Sequence, residues 1–96
     1  MNRDDTPTPR QSSAVQIAEV NHRLACDLAD RLREAARHVR MEQAMELRRV
    51  ARRCAHAAML FQLWLEPGIA MTIEQRGADL RLWREAREEA ARLGVR

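Results

Sequence analysis

Apolar residues between Ser13 and Leu65 recur with a helical rhythm, and no glycine or proline interrupts them over more than fifty positions. The period is eleven. Ala14, Ala25, Ala36, Leu47 and Ala58 form one series; Ile17, Leu28, Val39, Val50 and Phe61 form a second, offset by three, and every member is apolar. Eleven residues in three turns is ~3.67 per turn, so the stripe runs almost parallel to the axis of a straight α-helix. A third series, Asn21, Leu32, Gln43, Cys54 and Leu65, flanks the stripe but admits polar residues at Asn21 and Gln43.

The ends of this stretch carry their own signals. Residues 1–12 combine charge with two prolines and no apolar anchor, which predicts a disordered tail. Ser13 and Gln16 have the spacing of a capping box and predict that the first helix starts there. From Met59 to Leu65 apolar side chains crowd both sides of the helix, a pattern that requires cover all round. Pro67-Gly68 then supplies a stop and a turn. A second capping box, Thr72 with Gln75, and a C-terminal cap at Gly94 bracket a further helix over about 73–93. Gly77 weakens its first turn and offers Asp79 as an alternative start. Its apolar face is Ile73, Leu80, Trp83, Ala86, Ala90 and Leu93.

The fold class is therefore all-α: one helical domain over 13–96, with a helix over 13–65, a turn over 66–72 and a second helix over 73–93. A short turn makes the second helix fold back as an antiparallel αα-hairpin. If Leu65 faces Ile73, Leu80 lies near Ala58 and Trp83 near Cys54 and Ala55, the bulkiest side chain over the smallest. At 1.5 Å per residue the first helix would be ~78 Å long and the second ~32 Å, which leaves Ile17 to Val39 without cover in the chain. Two architectures answer this. A continuous helix would find its cover in a second copy, giving a coiled-coil-like homodimer. A break near residues 38–42 would give a three-helix bundle. The unbroken series and the lack of Gly, Pro or Asn at the break favour the continuous helix; the equal thirds favour the bundle.

Composition supports the helical reading and narrows the chemistry. There is no Tyr and only one Phe, while Ala, Leu, Arg and Glu abound. A chain of 96 residues buries only a marginal core by itself, which makes a partner chain plausible. All seventeen basic residues are Arg, the mark of codon bias in a GC-rich bacterial or phage genome rather than of selection for guanidinium chemistry. The net charge is +3. Arg31 to Arg53 holds eight arginines against Glu34, Glu42 and Glu46, a local surplus of +5. Arg48, Arg49, Arg52 and Arg53 are the candidates for contacting nucleic acid, although no aromatic residue is interleaved to stack on bases and no helix-turn-helix signature is present. Elsewhere Glu19–Arg23, Asp27–Arg31, Arg84–Glu88 and Glu88–Arg92 have the spacing of i,i+4 ion pairs on a solvated face.

Reactive groups are sparse. His22, Cys26 and Asp30 form a column at i, i+4 and i+8, one ligand short of a tetrahedral zinc site, so no metal is assigned. Cys54 and His56 are two apart and point to different faces, which rules them out as a nucleophile and base. His38, Glu42 and Glu46 lack the apolar enclosure that tunes carboxylates for acid–base work. With no Gly-rich phosphate loop either, no catalytic residue and no cofactor is assigned, and the chain reads as a non-enzyme. No segment has the apolar length of a membrane span or the layout of a secretory signal, so the expected location is cytoplasmic.

The function expected from these features is a small helical protein-interaction module, an adaptor, regulator or inhibitor of another protein, acting as a homodimer through a helix face or groove. Its interface candidates are Ile17, Leu24, Leu28, Leu32 and Val39 along the stripe, with Trp64 and Trp83 in the aromatic head. A nucleic-acid-associated regulator and a structural subunit of a larger assembly are the alternatives.

Overall fold

The structure is a computed structural model; it describes the backbone of residues 9–96 and the side chains of residues 13–96. Three helices follow one another, α1 (Pro9–Ala36), α2 (Met41–Leu65) and α3 (Ile73–Arg92), and no strand occurs among the described residues. The helix expected to run unbroken over 13–65 is thus two helices, and the chain takes the bundle alternative.

The break lies at residues 37–40. Arg37 N–H and His38 N–H donate to Glu34 and Ala35 carbonyls three residues back, tightening the end of α1, and Ala44 N–H to Arg40 O opens α2. Arg40 caps α2 with an extended backbone and no side-chain hydrogen bond. Neither residue type nor capping explains this turn; burial does. Folding back places Leu28, Leu32 and Ala36 of α1 in one core with Leu47, Val50 and Cys54 of α2. Each large apolar side chain so buried contributes ~1.5–3 kcal/mol, against ~0.5–1.5 kcal/mol for each backbone hydrogen bond given up. Two of the last carbonyls of α1, those of Glu34 and Ala35, are satisfied by Arg37 N–H and His38 N–H. The eleven-residue series identified core positions but not continuity. Ala25, Ala36, Leu47 and Ala58 are all buried, yet they lie on two antiparallel helices.

At the N-terminus α1 starts at Pro9, a residue whose fixed φ suits the first turn, so Ser13 sits inside the helix and not at its cap. Of the expected tail, residues 1–8 lie outside the described residues and 9–12 are helical.

α3 returns antiparallel to α2. Its start is capped as the sequence predicts, Thr72 Oγ1 accepting from Gln75 N–H at 3.0 Å. Its end is a Schellman motif: Gly94 has φ +86, Gly94 N–H reaches Ala91 O and Val95 N–H reaches Ala90 O. Register is set by polar pairs. Trp64 Nε1–H donates to Asp79 Oδ2 at 2.8 Å near one end, and Glu89 takes Arg49 and Arg53 near the other. Trp83 is buried and donates through Nε1–H to Asn21 Oδ1 at 3.0 Å, tying α3 to α1; Arg31 of α1 donates to Arg96 O at 2.6 Å.

Candidate protein-binding groove

The interface residues expected from the stripe divide into two sets. Leu28, Leu32 and Trp83 are buried in the chain's own core. Trp64 is half-buried, its ring packed edge-on against Phe61 with centroids 5.2 Å apart and its N–H satisfied by Asp79. Ile17, Leu24 and Val39 remain 39 %, 44 % and 41 % exposed. α2 supplies most of the cover for α1 that the sequence pattern assigned to a second copy.

Ile17 belongs to an open groove of about 530 Å³ between the first half of α1 and the first half of α3. Ile17 and Asn21 form one wall, Gly77 and Leu80 the other, and Trp83 lies in the floor. α3 rests mainly on α2 and only lightly on α1, so the two outer helices stand apart and the Asn21–Trp83 bond spans the gap. Gly77 contributes by its size. A Cβ there would meet nothing within 4 Å, so the wall is low at that point. Exposed Val20 and Leu24 continue the apolar surface one and two turns beyond Ile17, and exposed Ile73 lies one turn before Gly77.

Arginines line this groove. Arg81, Arg84 and Arg87 border it, and the Arg87 guanidinium lies 5.1 Å from the Trp83 ring centroid, a cation–π contact. Among the described residues none of the three makes an ion pair, and the expected Arg84–Glu88 and Glu88–Arg92 pairs are not formed. The Glu19–Arg23 and Asp27–Arg31 pairs are likewise absent; the local pairs among the described residues are Asp30–Arg33 and Glu46–Arg49 within helices, and Glu34 of α1 with Arg37 and His38 of the following turn. A hydrogen bond from His38, with Arg37 alongside, holds the Glu34 carboxyl below its ordinary pKa, and Arg49 does the same for Glu46.

The four arginines named as nucleic-acid candidates do not share a face. Arg49 and Arg53 turn toward α3 and engage Glu89, whereas Arg48 and Arg52 border a cleft with α1. A separate hollow of about 330 Å³ at the other end of the molecule joins Val39, Leu47 and Leu93 to Glu42 and Glu46.

In the His22–Cys26–Asp30 column, His22 and Cys26 are part-buried against α2, while Asp30 is exposed and pairs with Arg33. His22 Nδ1 lies 2.9 Å from Ala58 O; a carbonyl only accepts, so Nδ1 carries the proton and Nε2 faces Cys26 Sγ at 3.8 Å. No cluster of three His, Cys, Asp or Glu suited to a metal ion occurs among the described residues. Burial pushes the Cys54 thiol up to about 11, which makes it a poor nucleophile.

Three polar residues that organise α3 are not apparent from the sequence pattern: Asn21, Asp79 and Glu89. Asn21 shows there only as a flaw in an apolar series and Asp79 only as a helix start. The signal for Asn21 and Asp79 was the two tryptophans, since an indole N–H taken out of water requires an acceptor; nothing in the pattern marked Glu89. Comparison with protein-family models, with curated proteins and with solved structures finds no match to this chain.

Proposed function

We propose that this chain is a small protein-interaction module that receives an amphipathic helix of another protein in the groove between α1 and α3. The observation that carries this reading is the groove itself: apolar walls left open at Ile17 and Leu80, over a buried Trp83, bordered by three arginines without carboxylate partners among the described residues. Its arginines select the occupant. A helix with Leu or Ile at i, i+3/i+4 and i+7 and carboxylates along its flanks satisfies both the walls and the rim, the helix-in-groove mode of recognition. Such a module acts as an adaptor, regulator or inhibitor. The homodimer expected from the sequence loses its original ground, because α2 covers the stripe; a second copy in the groove is the competing occupant.

The test uses two synthetic helical peptides with one apolar face and opposite flanks, glutamate in one and lysine in the other, titrated into isotope-labelled protein. The expected result is saturable NMR shifts at Ile17, Asn21 and Leu80 with the glutamate peptide. The lysine peptide should bind at least about tenfold more weakly, and Leu80→Asp should abolish binding while the fold is retained. Shifts elsewhere, or equal affinity for both peptides, would refute the reading. Light scattering without peptide reads the competing occupant: a dimer that Leu80→Asp dissociates would assign the groove to self-association.

A further inference from the structure

The basic band has a second face, on the side of the α1/α2 hairpin where no α3 residue contributes. A cleft of about 450 Å³ is bordered there by Arg33 from α1, Arg37 from the turn after it, Arg48 and Arg52 from α2, and the carboxylates of Asp30 and Glu34. Both carboxylates are engaged at the edge of hydrogen-bonding range, Asp30 with Arg33 at 3.3 Å and Glu34 with Arg37 at 3.4 Å, while Glu34 also takes His38 at 3.1 Å. Among the described residues Arg48 and Arg52 have no carboxylate partner. Four guanidinium groups against two carboxylates leave a surplus of +2 at this spot.

We propose that this cleft is a binding site for a phosphomonoester dianion, held between Arg48 and Arg52 on α2, Arg33 on α1 and Arg37 in the turn that follows it. Two features single out this ligand class. Guanidinium forks match the oxygens of a tetrahedral oxyanion and bind them in pairs, and α2 presents Arg48 and Arg52 one turn apart. A phosphomonoester carries about −1.5 to −2 at neutral pH, which offsets the local surplus, whereas a phosphodiester chain carries one charge per unit and needs a longer strip. The strip is cut short here, because Arg49 and Arg53 are turned away and bound by Glu89, and Asp30 stands at its other end. The site lies on different residues from the α1/α3 groove and stands or falls independently of it.

The experiment titrates inorganic phosphate, a phosphoserine peptide and a short oligodeoxythymidine into the full chain, with the arginine Nε–H resonances as the readout. Phosphate should give saturable shifts at Arg48 and Arg52. With the phosphoserine peptide these should weaken as pH falls through about 6, where the monoester dianion takes up a proton. The double variant Arg48→Gln, Arg52→Gln should lose about tenfold or more in affinity, while Arg23→Gln, outside the cleft, should leave it unchanged. Tighter binding of the phosphoserine peptide than of free phosphate would make the source a modified protein; equal binding would make it a small phosphorylated molecule. No saturable shift with either, affinity retained in the double variant, or binding of the oligonucleotide alone would overturn the proposal.

Discussion

The two turns of this molecule do the same job by opposite means. The turn between α2 and α3 is marked locally: Pro67 cannot continue a helix, Gly68 adopts φ +84, and Thr72 caps α3. The turn between α1 and α2 is Arg37-His38-Val39-Arg40, with no Gly, Pro or Asn and no side-chain cap at Arg40. The first kind of turn is imposed by residues that permit little else. The second is imposed from a distance, by apolar faces that bury each other only if the chain reverses. A helix can therefore stop where its own residues favour continuing, provided the packing gained exceeds the few backbone hydrogen bonds lost.

That contrast can be broken at its strongest point first. Leu32 is fully buried in the α1/α2 core, so Leu32→Ala should cost about 2–5 kcal/mol, read as a lowered midpoint in urea denaturation. A loss under about 1 kcal/mol would mean that burial does not hold the first turn. Gly68→Ala tests the second turn. Nothing lies within 4 Å of a Cβ at Gly68, so only the positive φ opposes alanine, and the cost should be about 1–2 kcal/mol, with Gly68→Asn costing less. Thermal melts of the two variants would read the difference. The smallest effect should come from making residues 38–40 all alanine. Despite the gain in helix propensity, the reversal should persist and stability should change by less than about 1 kcal/mol. Spin labels at positions 23 and 62 would report it: a fused helix would separate them by ~58 Å, whereas the reversal, which brings His22 to Ala58, keeps them close.

The polar pairs show a related division of labour. Trp64 with Asp79 and Trp83 with Asn21 add specificity to an interface otherwise made of alanine and a few large side chains. Alanines such as Ala57, Ala86 and Ala90 give close approach but no register, since each resembles its neighbours. An indole N–H that must meet one acceptor removes the ambiguity. Trp64–Asp79 holds α3 on α2 while Trp83–Asn21 is the tie to α1, and α3 otherwise stands off from α1, leaving the groove beside Leu80 open.

Much of the fold was legible in the chain. The stop after Leu65, the cap at Thr72 and the close at Gly94 all appear where their residues predict, because each acts through backbone geometry within a few positions. The apolar series marked Ala25, Ala36, Leu47, Val50 and Phe61 as core, because helical phase is a local property. The candidate groove was only partly legible. Ile17 and Leu24 were marked as interface residues and are exposed, but Leu28, a member of the same eleven-residue series as Ile17, is buried, as is Leu32. Pattern says which side of a helix is apolar; it does not say what covers it.

What the sequence determined by itself is the all-helical class, the phase of each helix and the second turn, since those depend on the φ/ψ preferences and capping chemistry of near neighbours. Only the tertiary structure decided the reversal at residues 37–40, the division of the arginines between Glu89 and the open cleft, and the gap between α1 and α3. Each of these depends on which distant faces meet, and that is settled by the summed burial of side chains tens of residues apart.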